Sequence, residues 1–231
     1  MFLRCILTSL LLLSSTGRAQ SLARFDKIIS LGSDCEVATQ LNKYKLRHEA
    51  YPFDWMRTFV FSKLTQLIQN NFANFLHTPF LVKTQHTVVN KHYLMAFVHD
   101  FPTLQNPSYQ KNDQEFTGMI VPNFTQFVPQ AQEKYARRIE RFKAALHSNG
   151  SVLFIRSQYI QPADAAEFVQ LISRLHPRLN FTLAVVSSHN HSAEQWHIPH
   201  VIAIQETRPL GKLWFSEDQW TDILRRLQLI Q

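Results

Sequence analysis

The sequence predicts one α/β domain, a mostly parallel sheet flanked by helices, with a β-hairpin insertion. Three observations lead there. The 231 residues are 45% hydrophobic, with 5 Gly and 10 Pro. That is enough apolar material for one sizeable core and too little Gly and Pro for a low-complexity or collagen-like chain. The second half alternates helical and strand-like patterns, the order that builds a parallel sheet covered on both faces. The first apolar run passes through a Gly-bearing turn into a helical pattern, which fits the same sheet.

Residues 1–19 are read apart from this fold. One positive charge at Arg4 precedes a nearly unbroken apolar run from Cys5 to Leu13, and small residues close the segment at Gly17 and Ala19. This is the anatomy of a secretory signal, with cleavage expected near Ala19 and residues 20–231 left as the single domain. The run is well short of the roughly 20 apolar residues a spanning helix needs. No other stretch reaches that length, so a secreted or periplasmic protein without stable membrane insertion is expected. Loss of Arg4 and Arg18 lowers the basic surplus from +7 to +5. The remainder is scattered, whereas a nucleic-acid binder usually carries a concentrated basic stripe, so no nucleic-acid partner is expected.

The elements follow in order. Residues 27–31 are a short strand closed by Gly32-Ser33-Asp34. Val37, Ala38 and Leu41 then share a helical face over residues 35–46, with Ser33 or Asp34 as its N-cap. Residues 51–55 form an aromatic loop around Pro52, and residues 59–75 a second amphipathic helix. Residues 84–89 and 93–98 are β-rich runs on either side of Asn90-Lys-His92, a hairpin pattern. A long helix over residues 130–146 ends at Asn149-Gly150. Strands at 151–156, 181–187 and 201–204 then alternate with helices at 162–175 and 217–227.

Chemistry concentrates at Cys35. With Cys5 removed in the leader it is the lone thiol, and it stands where a strand hands over to a helix. Converging N–H groups and the helix dipole favour thiolate there, so a lowered pKa is expected. The turn residues Gly32 and Ser33 would admit a close substrate and offer donors for an oxyanion. The competing reading is a buried structural cysteine behind the first helical turn.

The stretch Ile29-Ser-Leu-Gly-Ser-Asp-Cys-Glu-Val-Ala38, followed by Leu46-Arg-His-Glu-Ala-Tyr-Pro-Phe-Asp-Trp-Met56, resembles the N-terminal signature of an uncharacterised domain family described as putative papain-like cysteine peptidases. His99-Asp100-Phe101, the 138–142 segment and Val152-Leu-Phe-Ile-Arg156 resemble its later blocks, and Trp214 and Trp220 are similar to the family's tryptophans. The resemblance implies a cysteine nucleophile and peptidase chemistry. A nucleophile directly after a first strand is not how papain's chain is laid out, so a true papain fold is not expected.

A thiol nucleophile needs a proton partner within about 3–4 Å. His48 lies beyond the far end of the helix that Cys35 begins, where Leu46 is already roughly 16 Å away along the axis. His99 ends a strand, where sheet-based sites are usually assembled, and it matches the family block. It is the expected catalytic partner. Asp54 in the aromatic loop is the expected third member. Asp100 is the alternative, although strand neighbours point to opposite faces. Asp34 reads as a cap whose charge would oppose thiolate formation.

His189, His191, His197 and His200 read as a solvated loop, so no metal and no cofactor are expected. Arg138 and Arg141 lie on the polar side of their helix, as a solvated face or as an anion-binding patch. The leading expectation is an exported cysteine hydrolase acting on a peptide or another amide or ester. The alternative is a non-catalytic module binding an anionic glycan or a protein partner.

Overall fold

The computed structural model describes residues 25–106, 118–189 and 196–231. The leader read in residues 1–19 lies outside them, as does His191. In chain order the elements are β1 (Lys27–Ser30), α1 (Glu36–Lys43), β2 (Met56–Thr58), α2 (Phe61–Gln69), β3 (Leu81–Lys83), β4 (Val88–Asn90) and β5 (Met95–Phe97). There follow α3 (Val128–Leu146), β6 (Ser151–Arg156), α4 (Pro162–Leu175), β7 (Asn180–Ser187), β8 (Val201–Gln205) and α5 (Glu217–Arg226).

Four strands form a wholly parallel sheet in the order β1-β6-β7-β8. Such a sheet is apolar on both faces, and its strands read as continuous hydrophobic runs, as at Val152–Ile155 and Leu183–Val186. Alternation divides the runs between two cores. Val152, Phe154, Leu183 and Val185 join Ile29 and Leu31 in packing against α2, α3, α4 and the second sheet. Leu153, Ile155, Ala184 and Val186 pack instead on Val37 and Leu41 of α1 and on Trp220, Ile223 and Leu224 of α5.

The second sheet is antiparallel, in the order β2-β5-β4-β3. The expected hairpin is its centre, with Val88 opposite Phe97 and Asn90 opposite Met95. Asn90 organises the turn: its Oδ1 accepts the N–H groups of His92 and Tyr93, both at 2.9 Å. Its Nδ2 donates to the carbonyls of Asn74 and Phe75. The two outer strands, β2 and β3, were not legible. Each is three residues long, too short for alternation to declare itself.

Helix ends account for the other differences. The helix expected over 35–46 stops at Lys43, because Lys45 turns left-handed (φ +57) and Leu46 N–H donates back to the Leu41 carbonyl at 2.8 Å. The helix expected over 59–75 stops at Gln69. There Asn71 and Phe72 are both left-handed, and Phe72 N–H reaches the Leu67 carbonyl at 2.9 Å. Asparagine tolerates that conformation better than most residues. The carboxyl ends of β1 and β6 and the end of β5 meet at one corner, and the site lies there.

Candidate active site

β1 runs out into Leu31, and the chain then takes two left-handed steps, at Gly32 (φ +74) and Ser33 (φ +83). A Cβ on residue 32 would come within 2.9 Å of Thr58 Oγ1, so glycine is required by space as well as by angle. Ser33 bears the strain of a side chain at positive φ, a cost of about 1–3 kcal/mol. Neighbours hold it: its N–H donates to Thr58 Oγ1 at 3.0 Å, and its hydroxyl is 3.2 Å from that of Ser157. The Gly32 N–H donates to Ser30 Oγ. Both turn N–H groups are therefore committed, to hydroxyls at the ends of β1 and β2. Gly32 and Ser33 shape the turn rather than offering the oxyanion donors expected of them.

The turn delivers Cys35 to the N-cap position of α1, with helical φ and ψ. Its Sγ lies 3.2 Å from Nε2 of His99. His99 comes from the other sheet, two residues beyond β5. The ring of Trp55 meets the imidazole edge-on, with centroids 6.1 Å apart, and the Arg47 guanidinium lies 5.5 Å over that same indole.

Electrostatics at the sulfur run against the lowered pKa expected from the helix start. Cys35 is 4% exposed. Burial pushes its thiol from 9.0 up to about 12, and the negative charge of Asp34 adds to the rise, against which the Arg57 charge works. Desolvation is the largest cause, because the sulfur is packed beneath the turn. The N-cap falls on Cys35 rather than on Ser33 or Asp34 as expected; Asp34 stands one residue before it, its Oδ1 accepting the Glu36 N–H at 2.7 Å, which brings a carboxylate beside the thiol.

Asp54 and Asp100 have partners of their own. Asp54 Oδ2 accepts from Arg47 Nε and Nη2, at 3.0 and 2.8 Å, and from the Tyr51 N–H at 2.9 Å. Burial raises its pKa and the Arg47 charge opposes the rise. Its visible work is to fasten the loop that holds Trp55 against His99. Asp100 Oδ2 accepts the Tyr135 hydroxyl at 2.8 Å, and its Oδ1 pairs with Lys134. Arg138 lies over the Tyr135 ring of its own helix and its charge acts on Asp54, while Arg141 donates to the Ala50 carbonyl of the 47–54 loop. His48 is exposed, and the His200 ring stacks on Phe181.

Three residues around the site escaped the sequence reading. Glu36, directly after Cys35, is fully buried. It accepts from Phe215 N at 2.6 Å, Trp220 Nε1 at 3.0 Å and Arg208 Nη2 at 2.9 Å, and so ties the C-terminal segment to the Cys35 turn. Thr58 and Arg156 meet beneath the turn. An acid at the first position of an apolar helix face and an arginine closing an apolar strand were the signals available. A polar hollow of about 170 Å³ opens beside the loop, lined by Ser33, Asp34, Gln158, Arg208 and Leu213.

A family model described as "Putative papain-like cysteine peptidase" matches residues 26–191. An uncharacterized protein of Acanthamoeba polyphaga mimivirus is 30% identical over 191 residues, a span covering 71% of this chain and 79% of that protein. No solved structure matches the chain.

Proposed function

Since the chain belongs to the family described as putative papain-like cysteine peptidases, we propose that it is a cysteine-nucleophile hydrolase acting on an amide or ester carbonyl through Cys35 and His99. The observation that carries this reading is the 3.2 Å approach of sulfur to imidazole by residues delivered from two different sheets. Burial keeps the thiol protonated, so His99 acts as a general base at the moment of attack rather than as the partner of a preformed thiolate.

The steps balance as follows. Nε2 takes the S–H proton as sulfur bonds to the carbonyl carbon. The imidazolium gives that proton to the departing amine or alcohol, leaving a thioester on Cys35. Water then attacks the thioester, His99 takes its proton, and the sulfur leaves as thiol on regaining it. With the Gly32 and Ser33 donors committed and the Glu36 N–H given to Asp34, the oxyanion falls to the Cys35 N–H at the head of α1. The leader read in residues 1–19 would carry this chemistry out of the cytoplasm, to peptides or other amides and esters there.

The burial of Cys35 supports a second reading, a non-catalytic module for an anionic glycan or protein partner in which the thiol is structural. One experiment separates the two: turnover of p-nitrophenyl acetate, with iodoacetamide labelling alongside. The hydrolase loses both with Cys35→Ala and loses about 10²–10⁴ in turnover with His99→Ala. Equal turnover in Cys35→Ala removes the hydrolase reading, and a folded parent inert to both reagents supports the binding module.

A further inference from the structure

Cys35 and His99 hang from separate sheets, so their separation depends on whatever fixes one sheet against the other at this corner. Arg156 stands there. It ends β6 on the face shared with Val152 and Phe154, and it is 1% exposed. Its Nη1 donates to the Leu31 carbonyl at 3.0 Å and to Thr58 Oγ1 at 2.6 Å. Its Nη2 donates to the Thr58 carbonyl at 2.9 Å and to Gln158 Oε1 at 2.8 Å. The guanidinium also lies 5.1 Å from the centroid of the Phe61 ring, at the start of α2.

Each partner leads to one half of the reacting pair. Leu31 begins the turn that carries Cys35. Thr58 ends β2, which pairs with β5 from Thr58↔Met95 to Met56↔Phe97, and β5 carries the chain to His99. The Thr58 hydroxyl closes the link, since it accepts from both Ser33 N–H and Arg156 Nη1 and sits 3.4 Å from the Leu31 carbonyl as a donor. A hydroxyl offers one donor and two acceptor sites, and all three are used.

We infer that Arg156, acting through Thr58, is the positioning residue that sets the distance between Cys35 and His99, an inference that rests on these two being the reacting pair. The planar fork is what the task needs. Two nitrogens in fixed geometry engage both elements at once, which the single point of a lysine cannot do. Burying a guanidinium is costly unless its hydrogen bonds are supplied, and here four acceptors serve Nη1 and Nη2, leaving the buried Nε as the one nitrogen without an acceptor.

Thr58→Val tests the clamp, with Thr58→Ser as the conservative control. The first readout is the NMR signal of the His99 ring and its response to Cys35→Ala, which reports whether sulfur and imidazole still touch. The second is p-nitrophenyl acetate turnover. In folded Thr58→Val the ring should no longer respond to removal of the sulfur, and turnover should fall about 100-fold, the scale of a 1 Å misplacement. Thr58→Ser should keep both. If Thr58→Val does not fold, Arg156→Lys is read in the same way. A folded variant whose ring still responds as in the parent overturns the inference. The spectra do not depend on turnover, so a parent that hydrolyses nothing refutes the hydrolase reading alone, and the clamp is judged on the ring signal.

Discussion

Glu36→Ala should strike the fold of the site harder than any exposed substitution, and its cost can be worked from the contacts. The carboxylate has no exposed surface and receives three donors. Arg208 is 28% exposed on its side chain and also donates to the Ser157 carbonyl, so water and that carbonyl compensate it in part. Phe215 N–H and Trp220 Nε1–H lie in the core beneath α5 and have no such recourse. Two orphaned buried donors cost about 1–3 kcal/mol each. Removing a carboxylate that burial disfavours returns some of this, since desolvation raises the Glu36 pKa. The net is about 2–5 kcal/mol. A domain's whole stability is about 5–15 kcal/mol, so the variant should be close to unfolding. Urea titration followed by tryptophan fluorescence measures it. Glu36→Gln keeps one acceptor oxygen and should recover part of the loss. A Glu36→Ala protein within about 1 kcal/mol of the parent would refute the account of this anchor.

Two further outcomes follow from the same geometry. The folded thiol of Cys35 holds its proton up to about 12 against 9.0 when unperturbed, so its contribution is full below about 9 and is lost as pH climbs toward about 12. Between pH 8 and 11 the parent should lose about 3 kcal/mol more stability than Cys35→Ala, and parallel curves would contradict the burial argument. Asp54→Ala should lower the unfolding midpoint by loosening Arg47 and the Tyr51 turn. It should reduce ester turnover by well under the roughly 100-fold that loss of a proton-transfer group costs. A larger loss in a folded Asp54→Ala protein would make the carboxylate part of the reaction.

The long elements were legible because their periodicity is long. The strands at 151–156 and 180–187 and the helix at Pro162–Leu175 carry enough turns or alternations to fix type and place. The short strands β2 and β3 are made by pairing, not by propensity, and a three-residue pattern cannot show that. The pair Cys35 and His99 could be nominated because a strand-to-helix junction and a strand end are where sites form. Of the thiol's electrostatics only the opposing charge of Asp34 could be foreseen, not the larger effect of desolvation. The dipole is a local property of the helix start, whereas desolvation comes from chain distant in sequence. Glu36, Thr58 and Arg156 were hidden for the same reason, since their partners lie 25 to 184 residues away or, for Gln158, depend on where the strand ends. Thr58, for one, looks like an ordinary strand residue until its 98-residue link to Arg156 is seen.

Rapid-quench mass spectrometry of the intact protein mixed with p-nitrophenyl acetate goes straight to the proposed pair, Cys35 and His99. The account predicts one acetyl group, labile to hydroxylamine and mapped to Cys35, formed in the parent, slowed in His99→Ala and missing from Cys35→Ala. An acetyl group on another residue, or the same accumulation in all three proteins, would contradict it.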